Sequence, residues 1–169
     1  MNFSGKTNRQ IDQWISNHEE HCATGAPLYL ALLEERVRRA QATQKLSFER
    51  SLDHLRRVAT EQRCTTYGAL AAASGVEWSS ARHQMSGAHG HLDRLLDICH
   101  VKRLPLLTAI CVNQSGAAKG ELGEEALEGF ANGARRLGIS VGDPLAFHHQ
   151  CRDACWAWGR EQQDACAAV

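Results

Sequence analysis

The stretch from Thr65 to Met85, TTYGALAAASGVEWSSARHQM, decides the fold. Thr66 reads as the N-cap of a short helix carrying Tyr67, Leu70, Ala71 and Ala73, because a threonine hydroxyl can accept from the free amides of a first helical turn. Gly75 reads as the end of that helix, since glycine enters the left-handed region without steric cost. Val76 then packs beneath the turn. A second helix is expected over roughly Ser79 to Ser86, with Ala81 and Met85 inward. The small Ala71 allows two helices to approach, and the glycine makes the tight corner of a helix-turn-helix. The second helix turns Ser79, Ser80, Arg82, His83 and Gln84 outward. Arg and Gln can pair with base edges through two hydrogen bonds, and Ser can donate to phosphates.

Residues 1–62, before this stretch, read as helical. Ile11, Trp14, Ile15 and His18 give a short amphipathic helix. Gly25-Ala26-Pro27 breaks the chain, and Pro27 suits the first turn of the next helix. Leu30, Leu33, Val37 and Ala40 recur there at helical spacing. Ser47 is the expected N-cap of a third helix with Phe48, Leu52, Leu55 and Ala59 inward. Together they predict a small antiparallel layer. Between Arg36 and Arg63 this layer carries eight Lys or Arg and only three acids. Arg56, Arg57 and Arg63 are the candidates for a phosphate-facing patch next to the helix-turn-helix. The alternative is a solvated helix face laced with i,i+4 ion pairs.

Beyond the motif, a helix is expected over about His91 to Lys102, and a strand over Leu104 to Asn113. Gly116 and Gly120 then mark a glycine-rich loop. Glu121 to Leu137 reads as a helix with Leu127, Phe130, Ala131, Ala134 and Leu137 inward and Gly138 at its end. Asp143 is placed to cap a last helix whose inner stripe is Phe147, Cys151, Ala154, Cys155 and Trp158, fraying after Gly159. The expected fold is mainly α: a helical N-terminal region (1–62), then a winged-helix-like domain (63–169) with a small sheet and C-terminal helices.

The chain has 169 residues with nineteen basic and nineteen acidic side chains, so bulk charge argues for no particular partner. Apolar content of 43% excludes wholesale disorder. No apolar run approaches the roughly 20 residues that span a bilayer, and the polar start MNFSGKTNRQ lacks the apolar core of a secretory signal. A cytoplasmic protein with no membrane partner is expected. Seven cysteines make the chain cysteine-rich, and without an export signal they are expected reduced. Two clusters raise zinc. His18, His21 and Cys22 fall at helical spacing, as do His148, Cys151 and Cys155. Each offers three ligands where a closed tetrahedral site takes four, and neither has paired C-x2-C spacing. Buried core cysteines and ordinary histidines are the expected reading, with no cofactor.

Thr-Tyr-Gly-x-Leu-Ala-x3-Gly-Val followed by Ala81-Arg82 resembles the C-terminal domain of O6-alkylguanine-DNA alkyltransferases and the non-catalytic alkyltransferase-like proteins. The likeness covers Thr65 to Gly120, about a third of the chain. It implies a winged helix-turn-helix whose second helix enters the minor groove. It also implies Tyr67 beside the phosphate of a flipped nucleotide and Arg82 as the arginine that takes the base's place. The family's alkyl-accepting strand carries Pro-Cys-His-Arg-Val, whereas here Cys111 is followed by Val112 and Asn113. A thiol needs a base or a cation beside it to become a nucleophile, and none adjoins Cys111. The expectation is therefore a non-catalytic DNA-binding protein acting through Tyr67 and Ser79 to Gln84, on modified or distorted DNA. The alternatives are a protein-interaction adaptor of a prokaryotic defence or mobile-element system, with a protein partner, and a thiol- or metal-dependent enzyme acting on DNA.

Overall fold

The computed structural model describes residues 1–167, which form eight helices and a two-stranded sheet. Helix α1 (Asn8–Glu20) starts at Thr7, whose hydroxyl accepts from the Gln10 amide while the Gln10 side chain accepts from the Thr7 amide, a reciprocal capping box. Helix α2 (Pro27–Thr43) begins on its proline, and α3 (Phe48–Thr60) is capped by Ser47. Strand β1 (Thr65–Thr66) runs directly into α4 (Tyr67–Ala73), then α5 (Trp78–Met85) and α6 (His91–Val101). A 3₁₀ turn (Leu107–Ile110) leads into β2 (Cys111–Val112), and α7 (Glu124–Arg136) and α8 (Pro144–Ala167) complete the chain.

The expected strand over Leu104 to Asn113 is mostly not a strand. Only Cys111 and Val112 pair, in parallel register with Thr65 and Thr66. The preceding residues are pulled into the 3₁₀ turn, where Leu107, Thr108, Ala109 and Ile110 are buried against α3, α6 and α8. An apolar run enclosed on all sides carries no period that separates strand from turn. Helix α7 starts later than expected, at Glu124 with Gly123 as N-cap. Helix α8 does not fray at Gly159 but continues to Ala167, because Gly159 is the point where it crosses α3. Its buried side chains include His148 and Cys155, while Ala154 is exposed.

The three N-terminal helices do not close on one another as a layer. Helix α2 packs between α1 and α6, which buries Tyr29, Leu32 and Leu33 completely and leaves Leu30, Val37 and Ala40 half-buried. Helix α3 packs instead on α8, on the 3₁₀ turn and on α4. One apolar cluster therefore runs without interruption from Phe3 to Cys155.

Two polar networks sit inside this core. Arg136 reaches Asp97 (2.6 Å), Asp93 (3.1 Å) and Glu19 (3.3 Å), and Arg94 pairs with Asp97 at 2.9 Å with both side chains buried. Glu19 also accepts from the Tyr29 hydroxyl, which ties α1 and α2 to α6 and α7. Five ionised groups share their charges, so none is left alone in a medium of low dielectric.

The second network centres on His91, the first residue of α6. The Gln44 amide donates to its Nδ1 at 3.2 Å, so the proton sits on Nε2 and is given to Ser51 Oγ at 2.8 Å. The ring stacks on Phe48 with centroids 4.8 Å apart. Ser51 neighbours Ser74, which in turn accepts from the Ser47 amide.

Burial holds the His91 imidazole down at about 4. The unfolded chain takes up a proton near pH 6.5 while the folded one stays neutral. Stability is therefore complete above about pH 6.5, falls towards pH 4 by about 3 kcal/mol, and then levels off. Chemical denaturation between pH 7 and pH 4 should show this fall, with His91→Gln less stable at pH 7 but shallower in slope. Equal slopes for both proteins would contradict the assignment. At Gly159, a Cβ would lie 2.2 Å from the Ala59 carbonyl oxygen. Gly159→Ala should lower the unfolding free energy by about 2 kcal/mol in chemical denaturation, as overpacked contacts do.

Candidate nucleic-acid interface

Thr66 caps α4 by accepting from the Ala69 amide, as the sequence implies. Gly75 sits at φ +72°, and its neighbour Val76 closes the turn by donating to the Ala71 carbonyl. Helix α5 docks through Ala81 and Met85, both fully buried. Ser79, Ser80, Arg82 and His83 are exposed on its outer side, and Gln84 is half-buried. The Gln84 side-chain Oε1 accepts from the Lys45 backbone amide at 3.1 Å, which ties the connection between α2 and α3 to the end of α5. Arg82 donates from Nε to His83 Nε2 at 3.3 Å, and no carboxylate among the described residues lies within 4.0 Å of it.

Tyr67 opens α4 and Trp78 opens α5, and their rings stack with centroids 6.5 Å apart and a 26° tilt. Burial pushes the Tyr67 hydroxyl up to about 12, with the nearby Cys111 thiol adding to the effect. Trp78 is the functional candidate that sequence reasoning passed over. The available signal was its position one helical turn ahead of Arg82, on the same side of α5.

The basic span is largely neutralised from within. Arg36 pairs with Asp12, and Arg38 and Arg39 both pair with Glu35. Arg56 is 3.5 Å from Asp53 and lies on the far flank of α3, lining a cleft of about 700 Å³ with Val37, Ile98 and Val101. Arg57 and Arg63 share Glu61. Arg57 also donates to His54 Nδ1, so His54 passes its Nε2 proton to Thr65 and anchors β1 to α3. Burial and those two arginines lower the His54 pKa. The structure thus separates Arg56 from the motif and leaves Arg57 and Arg63 beside β1 with a shared counter-charge. Two cations of the same span that the sequence did not single out, Lys45 and Arg50, adjoin the motif. Both are exposed and lack a carboxylate within 4.0 Å among the described residues. The Arg50 guanidinium stands 3.7 Å from the Cβ position of Gly75.

No family model, curated protein or solved structure matches this chain. Its chemistry is therefore read from its own side chains.

Cys111 is buried, and burial pushes its thiol well above the ordinary range with no cation to offset it. The adjoining loop is built tightly. A Cβ on Gly116 would lie 2.0 Å from the Glu121 carbonyl oxygen, and the Asn113 side chain packs between Gly116 and Gly123. His148 is engaged by the Ala109 carbonyl at 2.9 Å, and Cys155 donates to the Leu106 carbonyl. Burial raises the Cys151 thiol to about 11. His18, His21 and Cys22 do not share a helical face: α1 ends at Glu20, and Cys22 turns away at φ +52°. Among the described residues no three His, Cys, Asp or Glu side chains are grouped to hold a metal ion. Brief alkylation of the native protein, followed by peptide mapping, should label exposed Cys22 ahead of Cys64 and Cys151 and leave Cys99, Cys111 and Cys155 unmodified. Early labelling of Cys111 would show that the thiol is accessible and activated.

Proposed function

We propose that this chain is a non-catalytic DNA-binding protein that uses α4 and α5 as a winged-helix-like helix-turn-helix. The observation that carries the reading is α5 itself. Two apolar side chains fix it to the core, and its outer side offers Ser79, Ser80, Arg82 and His83, with no carboxylate within 4.0 Å of the arginine among the described residues. The likeness of residues 65–120 to the alkyltransferase C-terminal domain supports placing Tyr67 and Arg82 at the DNA surface, with Arg82 meeting a phosphate here rather than replacing a base.

The geometry redraws the charged surface. Beside the motif, and among the described residues, Lys45, Arg50 and Arg82 have no carboxylate within 4.0 Å, whereas Arg56, Arg57 and Arg63 each carry an acidic neighbour. About three phosphate contacts imply binding that is modest and salt-sensitive. Burial raises the Cys111 and Cys151 thiols, so the proposal is drawn from the α5 surface and not from these cysteines. The protein-adaptor alternative draws on the neutral total charge and on the cleft between α2, α3 and α6, whose floor is Val37, Phe48, Leu52, Ile98 and Val101.

Fluorescence anisotropy with labelled duplex DNA tests the proposal. Affinity should fall about 40-fold between 50 and 200 mM salt, as three phosphate contacts dictate. Arg82→Ala and Arg50→Ala should each weaken binding about five- to tenfold at low salt and flatten the salt dependence, and Tyr67→Ala should also weaken it. Arg56→Ala should change it less than twofold. Absence of binding at 50 mM salt would overturn the reading in favour of the adaptor.

A further inference from the structure

We propose that Trp78 and Arg82 form a composite site for a nucleobase with one uncovered face, the indole stacking on the base and the guanidinium holding the adjoining phosphate. The inference rests on the DNA-binding reading above and narrows its substrate.

Trp78 is 42% exposed, and it is the one aromatic among the most exposed large apolar side chains of the described residues. An indole left this open gives up part of its apolar burial, and beside Arg82 it offers a stacking face and a cation together. Its orientation is not loose. Tyr67, half-buried at the head of α4, backs it at 6.5 Å. The two rings are thus carried by the first residues of both helices of the motif, and the turn at Gly75 sets their separation.

Arg82 follows Trp78 by four residues on α5, so their Cβ atoms stand roughly 5–6 Å apart on one side of the helix. That offset suits a base and the phosphate of the same nucleotide. Ser79 lies next to Trp78 on the outer side and adds a hydroxyl for the sugar-phosphate chain. Phosphate contacts position a nucleic acid, while the aromatic face demands a base that is not already covered. In a continuous duplex every base is stacked on both sides. The ligands that satisfy the site are therefore single strands, duplex ends and duplexes with an unpaired base.

Four labelled probes of related sequence separate these sources: a dumbbell duplex whose two ends are closed by non-nucleotide aromatic linkers stacked on the terminal pairs, the same dumbbell with a one-nucleotide bulge, a blunt linear duplex and a single strand. Trp78→Ala should lose about tenfold in affinity on probes with an uncovered base, the magnitude of one aromatic–base stack. It should lose less than twofold on the closed dumbbell. Trp78→Phe should restore most of the loss while abolishing the quench of tryptophan fluorescence that the single strand produces in the wild type. Because Trp78 is exposed, its variants should melt like the wild type. Loss confined to the bulged dumbbell assigns the site to internal unpaired bases, and loss confined to the linear duplex assigns it to ends. Equal losses on all four probes, or none on any, would overturn the site and leave DNA binding intact. A wild type that binds no probe would overturn DNA binding itself.

Discussion

The neutral imidazole of His91 is the joint on which the arrangement depends. It receives a hydrogen bond from Gln44 and gives one to Ser51, and Ser51 adjoins Ser74 at the end of α4. One ring therefore joins the end of α2, the buried face of α3, the start of α6 and the corner of the helix-turn-helix. Each of those groups would be costly if left unpaired in the interior. The motif is consequently not a free-standing pair of helices. Its position relative to Lys45 and Arg50 is fixed from inside the core, and so is the proposed binding surface of α3, α4 and α5 side chains.

The parts of this fold that were legible in the sequence are those set by short-range rules. Thr66 and Gly75 bound α4 because a cap and a left-handed residue act within one turn, and Ala81 and Met85 face inward because they fall on one side of α5. Ser47 and Asp143 cap their helices for the same reason. What could not be read depends on partners far along the chain. Leu104 to Ile110 looked like a strand because its apolar run is continuous, but enclosure by three helices curls it instead. Tyr29 and Leu32 lie fully inside because α2 has neighbours on two sides, which a single-stripe reading does not anticipate.

The candidate interface divides along the same line. Arg82 was visible because an outward residue on a short helix needs only the helix to place it. The arginines before it were left open between a phosphate-facing patch and a face of local ion pairs, and the pairs prevail: Asp12 and Glu35 take Arg36, Arg38 and Arg39, and Asp53 and Glu61 take Arg56, Arg57 and Arg63. Counting charge over a window overstated the field that a polyanion would meet. It also hid Arg50, whose value lies in its closeness to Gly75, 25 residues along the sequence. Trp78 escaped for a different reason: a tryptophan at the head of a helix reads as core until the solvent side of that helix is known.

The ion cluster around Arg136 bears on where this chain can be divided. Glu19 comes from the first helix, Asp93 and Asp97 from the sixth, and the guanidinium from the seventh. A fragment beginning after residue 62 would strand that cation with one acid fewer and strip the cover from α6. The amino-terminal piece would meanwhile expose the faces of α3 that rest on α8. The α4–α5 corner is therefore held by segments drawn from nearly the whole length of the described chain.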